Sequence, residues 1–332
     1  MRATSSGRDV ASQAALRMLM ARLPGVTAVD GAPSIEPPAS GDPPTVQTAE
    51  LVEGSSMQVI KVPDPEADAQ SGFAAFLDGA QQVQVMGDHA GIPIVYGTVS
   101  AAVRLRVNRR MVTWEGLPPR VKRSFFLPRR YLPPLSEVPS LVGESQLEVV
   151  DSAKANKNGS FPIMHPTALL DSAFRAVNEM REQLEHEFAE AWCASEKAPL
   201  FIDGGISGIP NASSSCAVGV VKSHRTLFAE GDALRTVFRL SKGERSSVFR
   251  VSPRSRSTVY SWYLRVRDVS HHDSMWGLVR VEIARCDRPT ERADEISRWV
   301  IAEMSPLSLP DGRWDKMAYG IRDCEEFLRA IS

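Results

Sequence analysis

Two short apolar runs in the sequence each end in an aspartate followed by a glycine, at Asp78-Gly79 and at Asp203-Gly204. Such a run predicts a buried strand that delivers its carboxylate to the rim of a sheet, where the glycine lets another backbone or a ligand approach closely. Hard divalent cations prefer carboxylate oxygens as ligands. Asp78 and Asp203 are therefore candidate metal ligands on one rim of a sheet. The alternative is that each Asp-Gly pair forms an ordinary turn.

A long helix is predicted between these two strands, from residue 166 to residue 192, because apolar residues recur there at a three-and-four spacing. Glu185 lies at the border of the apolar stripe, next to Leu184, and Arg181 lies one turn before it. A glutamate in this position is usually a surface residue. It becomes a candidate ligand because the Asp203 strand follows the helix within a few residues.

The composition is that of a globular protein with a sizeable core: 332 residues, 43% hydrophobic and 24% charged, with a formal net charge of −1. No apolar run approaches the roughly 18 residues that span a bilayer, and the polar N-terminus lacks the pattern of a signal peptide. A cytoplasmic location is expected. The four cysteines are scattered without CxxC spacing, which predicts reduced thiols and neither a zinc site nor a disulfide framework.

The sequence divides into an N-terminal arm and a folded body. Residues 1–50 are expected to form a helix followed by a Pro-rich linker or disordered arm, which is either a floppy terminus or a docking segment for a partner. The folded domain is expected to occupy residues 51–332, with a basic insertion at about 104–135. Sequence motifs for a P-loop, a dinucleotide-binding turn, a zinc protease and a serine hydrolase are absent.

Positive charge is concentrated in two segments. Residues 104–130 hold nine Lys or Arg against one acid, and residues 235–267 show the same imbalance. The first segment has Trp114, Phe125 and Phe126 among its basic residues, a mixture that can bind nucleic acid; a solvated hairpin is the alternative. A strand at 216–221 is followed by further basic residues, next to the predicted Asp203 strand. The candidate DNA contacts are Arg104, Arg106, Arg109, Arg110, Lys222, His224 and Arg225.

In the order of these elements the chain resembles the NurA family of nucleases, from about residue 70 to the end. The resemblance rests on Asp78 and the residues around it, Arg181 and Glu185, residues 201–204, 218–225, 260–265 and 279–282, and Tyr319. It implies an α/β, RNase H-like mixed sheet flanked by helices. It also implies that Asp78, Glu185 and Asp203 bind Mn²⁺ or Mg²⁺, and that Tyr319 joins the catalytic group.

The family has a histidine after that tyrosine, and this sequence has none after His272; Glu325 or Glu326 lies where the histidine is expected. The implied partners are DNA, a HerA-like hexameric ring ATPase and a second copy of the chain. The expected function is that of a metal-dependent DNA nuclease subunit in DNA end processing or phage defence. The alternatives are a non-catalytic DNA-binding or assembly subunit of the same fold, an Argonaute-like guided nuclease, and an unrelated binding protein.

Overall fold

The computed structural model describes residues 17–21, 26–28, 45–63, 71–132, 148–155, 159–209, 216–224, 226–252, 256–269, 274–304 and 316–332. Its strands are β1 (Val26–Ala28), β2 (Thr45–Val46), β3 (Glu50–Leu51), β4 (Val59–Lys61), β5 (Ala75–His89), β6 (Ile92–Val107), β7 (Arg110–Thr113), β8 (Arg120–Leu127), β9 (Glu148–Asp151), β10 (Leu200–Asp203), β11 (Ala217–Val221), β12 (Thr226–Leu227), β13 (Glu244–Ser246), β14 (Phe249–Val251), β15 (Val259–Arg265) and β16 (Leu278–Ala284).

The fold is α/β, with one large mixed sheet flanked by helices. The strands of its main path follow the order β3-β14-β15-β16-β11-β10-β5-β6-β8-β9. At its centre β5, β10 and β11 run parallel to one another, whereas β5, β6 and β8 form an antiparallel meander. Within the segment expected to be a linker, β1 pairs with the end of β5.

Helices cover both faces of this sheet. They are α1 (Pro166–Ser195), α2 (Gly231–Phe238), α3 (Pro289–Glu303) and α4 (Tyr319–Ile331), with a short 3-10 turn at Arg129–Tyr131. The apolar stripe of α1 packs on one face, against the odd-numbered residues Ala75 and Leu77 of β5. The apolar sides of α3 and α4 pack on the other face, against Phe76 and Phe201. None of the described helices is both long and apolar enough to cross a lipid bilayer.

The predicted strand around Asp78 is longer than expected. Asp78 is the fourth residue of β5, which continues to His89 because its whole length pairs with β6. The expectation that Asp78 ends its strand is therefore wrong. The expectation for Asp203 is confirmed, since β10 ends there.

Alternation along β15 and β16 places apolar residues on one face and mostly polar residues on the other, yet all seven residues of each strand are buried. The polar residues of the second face find partners inside the protein: the Arg265 guanidinium donates to the Leu240 and Ser274 carbonyl oxygens, and Arg280 donates to Glu282 at 2.5 Å. Burial of charged groups is tolerated because each has such partners.

The cysteine prediction is wrong for one pair. Cys193 in α1 and Cys216, just before β11, form a disulfide across a Cα–Cα distance of 6.1 Å. Cys286 and Cys324 are free thiols, as expected. The pairing was not apparent from the sequence because the fold, and not the spacing, brings the end of α1 beside the start of β11.

Candidate metal centre

The pairing of the neighbouring parallel strands β5 and β10 brings Asp78 and Asp203 together. Phe201 of β10 pairs with Phe76 of β5, and Ile202 pairs with Leu77, so the next step along both strands places Asp203 beside Asp78. Side chains alternate between the faces of a strand, so both aspartates point to the face that carries Phe76 and Phe201. That face is the one covered by α3 and α4.

A third carboxylate reaches this face from α4. The helix lies close against β5: a side-chain carbon at Gly320 would overlap the Phe76 ring, and the Cys324 thiol donates to the Phe76 carbonyl oxygen at 3.4 Å. The next residue, Glu325, is thereby placed over Asp78. One ligand oxygen from each of Asp78, Asp203 and Glu325 lies within 4.8 Å of the others. We call these three residues the acidic cluster.

Glu185 approaches from the opposite face of the sheet. Its carboxylate packs against Gly79, where a side-chain carbon would overlap the Glu185 Oε1, and it forms an ion pair with Arg181. Gly79 is therefore required for this close approach. The arrangement separates Glu185 from the acidic cluster by the thickness of β5, although its charge acts on Asp78 and Asp203.

Burial and like charge govern the ionisation of these groups. Asp78 is 7% exposed, and burial, followed by the charges of Asp203 and Glu185, raises the pKa of its carboxyl well above the usual range. Burial raises the pKa of Glu185 to about 7, against the opposing effect of Arg181. Holding ionised carboxylates this close together destabilises the folded protein unless a cation is bound among them.

One cation is already in contact with the acidic cluster. The Lys222 ammonium, at the end of β11, donates to Asp203 Oδ2 at 2.8 Å. It also counteracts the raised pKa of Asp78. The cluster offers a donor set made only of carboxylate oxygens, which hard divalent cations prefer as ligands. In this structure the Lys222 ammonium balances part of their negative charge.

The glycine after Asp203 has a different role from Gly79. Gly204 has a φ of 137°, a conformation that other residues rarely adopt, and no atom would obstruct a side-chain carbon there. The requirement for glycine at this position is therefore conformational, because it lets the chain leave β10 sharply after Asp203.

The acidic cluster opens into a cleft of about 430 Å³. Its floor continues from Asp78 along β5 and β6, and its wall is the last turn of α4. The residues lining it beyond the cluster are polar or small: Gly79, Ala80, Gln81, Gln82, Thr98, Arg329 and Ser332. A polar cleft that ends at three carboxylates suits a charged, hydrogen-bonding ligand better than an apolar one.

The remaining residues predicted for the site are dispersed. Tyr319 is the first residue of α4, two turns before Glu325, and is 56% exposed. His224 is mostly buried; its Nε2 is 2.9 Å from the Leu278 carbonyl oxygen, and burial lowers the pKa of its imidazole to about 4. His224 is consequently neutral near pH 7. Arg225 lies outside the described residues.

The four arginines between residues 104 and 110 that were predicted to contact DNA fall into two pairs. Arg104 is bound to Asp323 at 2.6 Å, and Arg106 makes two hydrogen bonds to Glu303, so both side chains are engaged with α3 and α4. Arg109 and Arg110 lie at the exposed turn between β6 and β7. Of these four, the second pair is the one presented to solvent.

The aromatic residues of the same segment are in the core. Trp114 is 5% exposed, Phe125 3% and Phe126 fully buried. These rings are therefore not available to bind nucleic acid, and that part of the prediction is wrong. Alternation that places basic residues on one face of a strand does not by itself indicate a nucleic-acid interface. The same pattern arises when the aromatic face of the strand packs into the core.

Glu325 is the site residue that hydrophobic periodicity did not reveal. In the sequence it follows Cys324 on an amphipathic helix and has the pattern of a solvent-facing glutamate. Glu325 or Glu326 lies where a histidine was expected, and neither of them was predicted as a metal ligand. Both glutamates contact an arginine on their own helix, but the Glu326 side chain is 60% exposed, whereas the Glu325 side chain is 15% exposed and joins the acidic cluster.

Comparison of the chain with models of known protein families and with curated proteins finds no match. The function of this protein is therefore inferred from the geometry and chemistry of the acidic cluster and the cleft beside it.

Proposed function

We propose that this protein is a metal-dependent DNA nuclease subunit with an RNase H-like sheet. The sheet topology supports the fold: the antiparallel meander β5-β6-β8 is followed by the long helix α1 and then by β10 and β11, both parallel to β5. Such an arrangement sets aspartates of the first and fourth of these strands side by side. The first and fourth strands here carry Asp78 and Asp203.

The observation that carries the proposal is the approach of three carboxylates to within 4.8 Å of one another at the end of a polar cleft. Divalent Mn²⁺ or Mg²⁺, when bound, generates a nucleophilic water and relieves charge on the leaving oxygen of a phosphodiester. Asp78, Asp203 and Glu325 would hold the ion. Glu185, on the other side of Gly79, is close enough to act on the same aspartates electrostatically.

DNA is expected to be bound mainly through its phosphates. Arg109 and Arg110 are exposed at a turn, whereas Arg104 and Arg106 are tied to carboxylates. Neutralising Arg109 and Arg110 to Gln should weaken DNA binding and reduce its salt dependence. The log–log slope should fall by roughly 0.9 for each phosphate of B-DNA that is no longer neutralised.

The measurement is the DNA affinity of the full chain over a range of salt concentrations. The matched control is the pair Arg104→Gln and Arg106→Gln, which removes equal charge from the same strand region. This control should lower the stability of the protein. It should reduce the salt slope of DNA binding less than the Arg109→Gln, Arg110→Gln variant does. An unchanged slope in the Arg109→Gln, Arg110→Gln variant would place the path of the DNA elsewhere.

The partners proposed for the nuclease are a HerA-like hexameric ring ATPase and a second copy of the chain, in DNA end processing or phage defence. This part of the proposal follows from the family resemblance. The sequence has no P-loop motif, so ATP-driven movement along DNA is assigned to the partner.

The decisive experiment is a cleavage assay on linear DNA with Mn²⁺ or Mg²⁺, with and without the ATPase partner. Two glutamine variants test the geometry of the site. Glu325→Gln is expected to reduce cleavage by about a hundredfold or more, because it removes the charge of one ligand at nearly constant shape. Glu185→Gln is expected to cause a smaller loss, since Glu185 stands outside the acidic cluster and is bound to Arg181.

A larger loss in Glu185→Gln than in Glu325→Gln would assign the third ligand to α1 instead of α4. Absence of cleavage by the wild type, even with its partner, would favour the non-catalytic alternative. In that case the replacement of the family's histidine by Glu325 would mark a DNA-binding or assembly subunit.

A further inference from the structure

We propose that Lys222 is a built-in counter-ion of the acidic cluster: its ammonium occupies the place of a cation beside Asp203 in the metal-free protein and must leave that carboxylate when a divalent ion binds. The inference rests on the proposed function. It adds that metal affinity is held down by the protein itself, and that Lys222 is freed for a phosphate oxygen only in the metal-loaded state.

The geometry of the pair supports this role. The Lys222 Nζ lies 2.8 Å from Asp203 Oδ2, and the two side chains are only 18% and 22% exposed. A half-buried ion pair is less screened by water and salt than a surface pair. The lysine follows directly after Val221, the last residue of β11, and the neighbouring strand β10 ends at Asp203, which pairs with Val220. The paired strands therefore bring the lysine close to Asp203.

Charge balance explains why a cation is needed there. The acidic cluster brings three carboxylates within 4.8 Å, and Asp78 is nearly inaccessible to water. Of the other nearby basic groups, Arg181 is bound to Glu185 on the opposite face, and the exposed Arg329 contacts the Glu325 carboxylate at 3.4 Å. Among the described residues, Lys222 is the cation that contacts an aspartate of the cluster. Without metal, it offsets the mutual repulsion of the carboxylates.

The same contact opposes metal binding. A divalent ion held by Asp203 and an ammonium 2.8 Å from the same carboxylate repel each other, and they compete for the oxygen that both require. A lysine is suited to yield, because its ammonium is a point charge on a flexible stem and forms no fixed fork with a carboxylate. Once released, the ammonium remains at the rim of the site, where the phosphate backbone of the substrate would pass.

The experiment measures Mn²⁺ binding by calorimetry on the full chain without DNA. Lys222→Met and Lys222→Gln remove the charge and shorten the side chain by only one atom. Both variants are expected to bind Mn²⁺ at least tenfold more tightly than the wild type. In the metal-free state both should melt at a lower temperature, and both should gain more in melting temperature on addition of Mn²⁺.

Two controls separate this contact from general electrostatics. Lys222→Arg keeps the charge and should leave Mn²⁺ affinity close to that of the wild type. Lys316→Met removes a neighbouring charge whose Nζ lies 3.3 Å from the backbone oxygen of Lys222, and should change the affinity by less than about threefold. Equal or weaker Mn²⁺ binding by the two neutral Lys222 variants would overturn the inference, as would equal gains in affinity for Lys222→Met and Lys316→Met.

Cleavage at saturating Mn²⁺ tests the second half of the inference. Lys222→Met is expected to cut DNA at least tenfold more slowly although its metal site fills more readily, because no ammonium then stabilises the charge on the phosphate. Cleavage as fast as that of the wild type would refute the phosphate role. If the wild type binds Mn²⁺ but cleaves nothing, the proposed nuclease function fails, while the affinities measured without DNA still decide the counter-ion role.

Discussion

Replacing Asp78 by asparagine is expected to reduce Mn²⁺-dependent DNA cleavage by about a thousandfold or more and, at the same time, to stabilise the metal-free protein. The loss of activity follows because ligands of one metal site act as a unit, so that removal of one disables the others. Asp203→Ala should lose activity to a similar degree, and the two effects should not add. Asp203→Ala also removes the partner of Lys222, which makes Asp78→Asn the cleaner substitution.

The gain in stability follows from the position of Asp78. The Gly79 amide donates to its Oδ1 at 2.8 Å, and the oxygen of asparagine can accept the same hydrogen bond. What the substitution removes is a nearly buried charge that lies beside Asp203 and Glu325. Burial and the neighbouring charges already raise the pKa of this carboxyl, which shows that its ionised form is held at a cost.

Cleavage and the metal-free melting temperature are measured on the same preparations at pH 7. Asp232→Asn serves as the control, because Asp232 lies at the start of α2 with its side chain 94% exposed. The control should change neither quantity appreciably. Substantial cleavage by Asp78→Asn would remove Asp78 from the metal site. A lower melting temperature in Asp78→Asn would show that the carboxylate is not strained in the absence of metal.

The elements that support the site were predictable because local patterns determine them. The apolar runs before Asp203 and within 217–221 form β10 and β11, and the three-and-four spacing after Pro166 forms α1. The spacing of apolar residues within such a segment largely determines its secondary structure and the side that is buried. The sequence therefore indicated that carboxylates would lie on adjacent strands with a helix nearby.

The sequence alone could not show whether Glu185 or Glu325 lies on the same face of the sheet as the two aspartates. It depends on which face of β5 carries Asp78, and a shift of one residue would exchange the two faces. Residues 76 and 78 face α4, and residues 77 and 79 face α1. Which residues of β5 face which helix becomes known only when the packing partners of β5 are known.

The ion pairs of Arg104 and Arg106 could not be foreseen from the sequence for a related reason. Arg104 and Arg106 looked like a basic face, but their partners Asp323 and Glu303 lie about two hundred residues later in the chain. Local charge imbalance indicates a binding surface only when no distant segment supplies the opposite charge. In this protein α3 and α4 supply it.

The largest expected loss of stability comes from Arg245, the centre of a buried ionic network. Its guanidinium is 1% exposed and binds Glu53 at 2.6 and 3.1 Å and Asp294 at 2.6 Å. Glu53 also accepts from the Val248 amide at 2.9 Å, so the network ties the segment before β4 and the helix α3 to the sheet. Arg245→Met is expected to lower the free energy of unfolding by about 3–5 kcal/mol.

The reason for this loss is the charge left behind and not the missing attraction alone. Arg245→Met leaves two partly buried carboxylates, Glu53 and Asp294, without a counter-charge. Arg250→Met is the matched control, because Arg250 makes a similar contact with Glu50 at 2.7 Å but both side chains are well exposed. The control should cost less than about 1 kcal/mol. Equilibrium unfolding in urea measures both.

A triple substitution, Arg245→Met with Glu53→Met and Asp294→Leu, distinguishes the two explanations of the loss. If uncompensated charge is responsible, replacing the carboxylates as well should recover much of the stability, since apolar groups of similar size carry no desolvation cost. If the network is needed to position the segment before β4, for example through the Glu53 contact with Val248, the triple variant should stay as unstable as Arg245→Met. Equal losses in Arg245→Met and Arg250→Met would contradict both explanations, because burial would then make no difference to the pair.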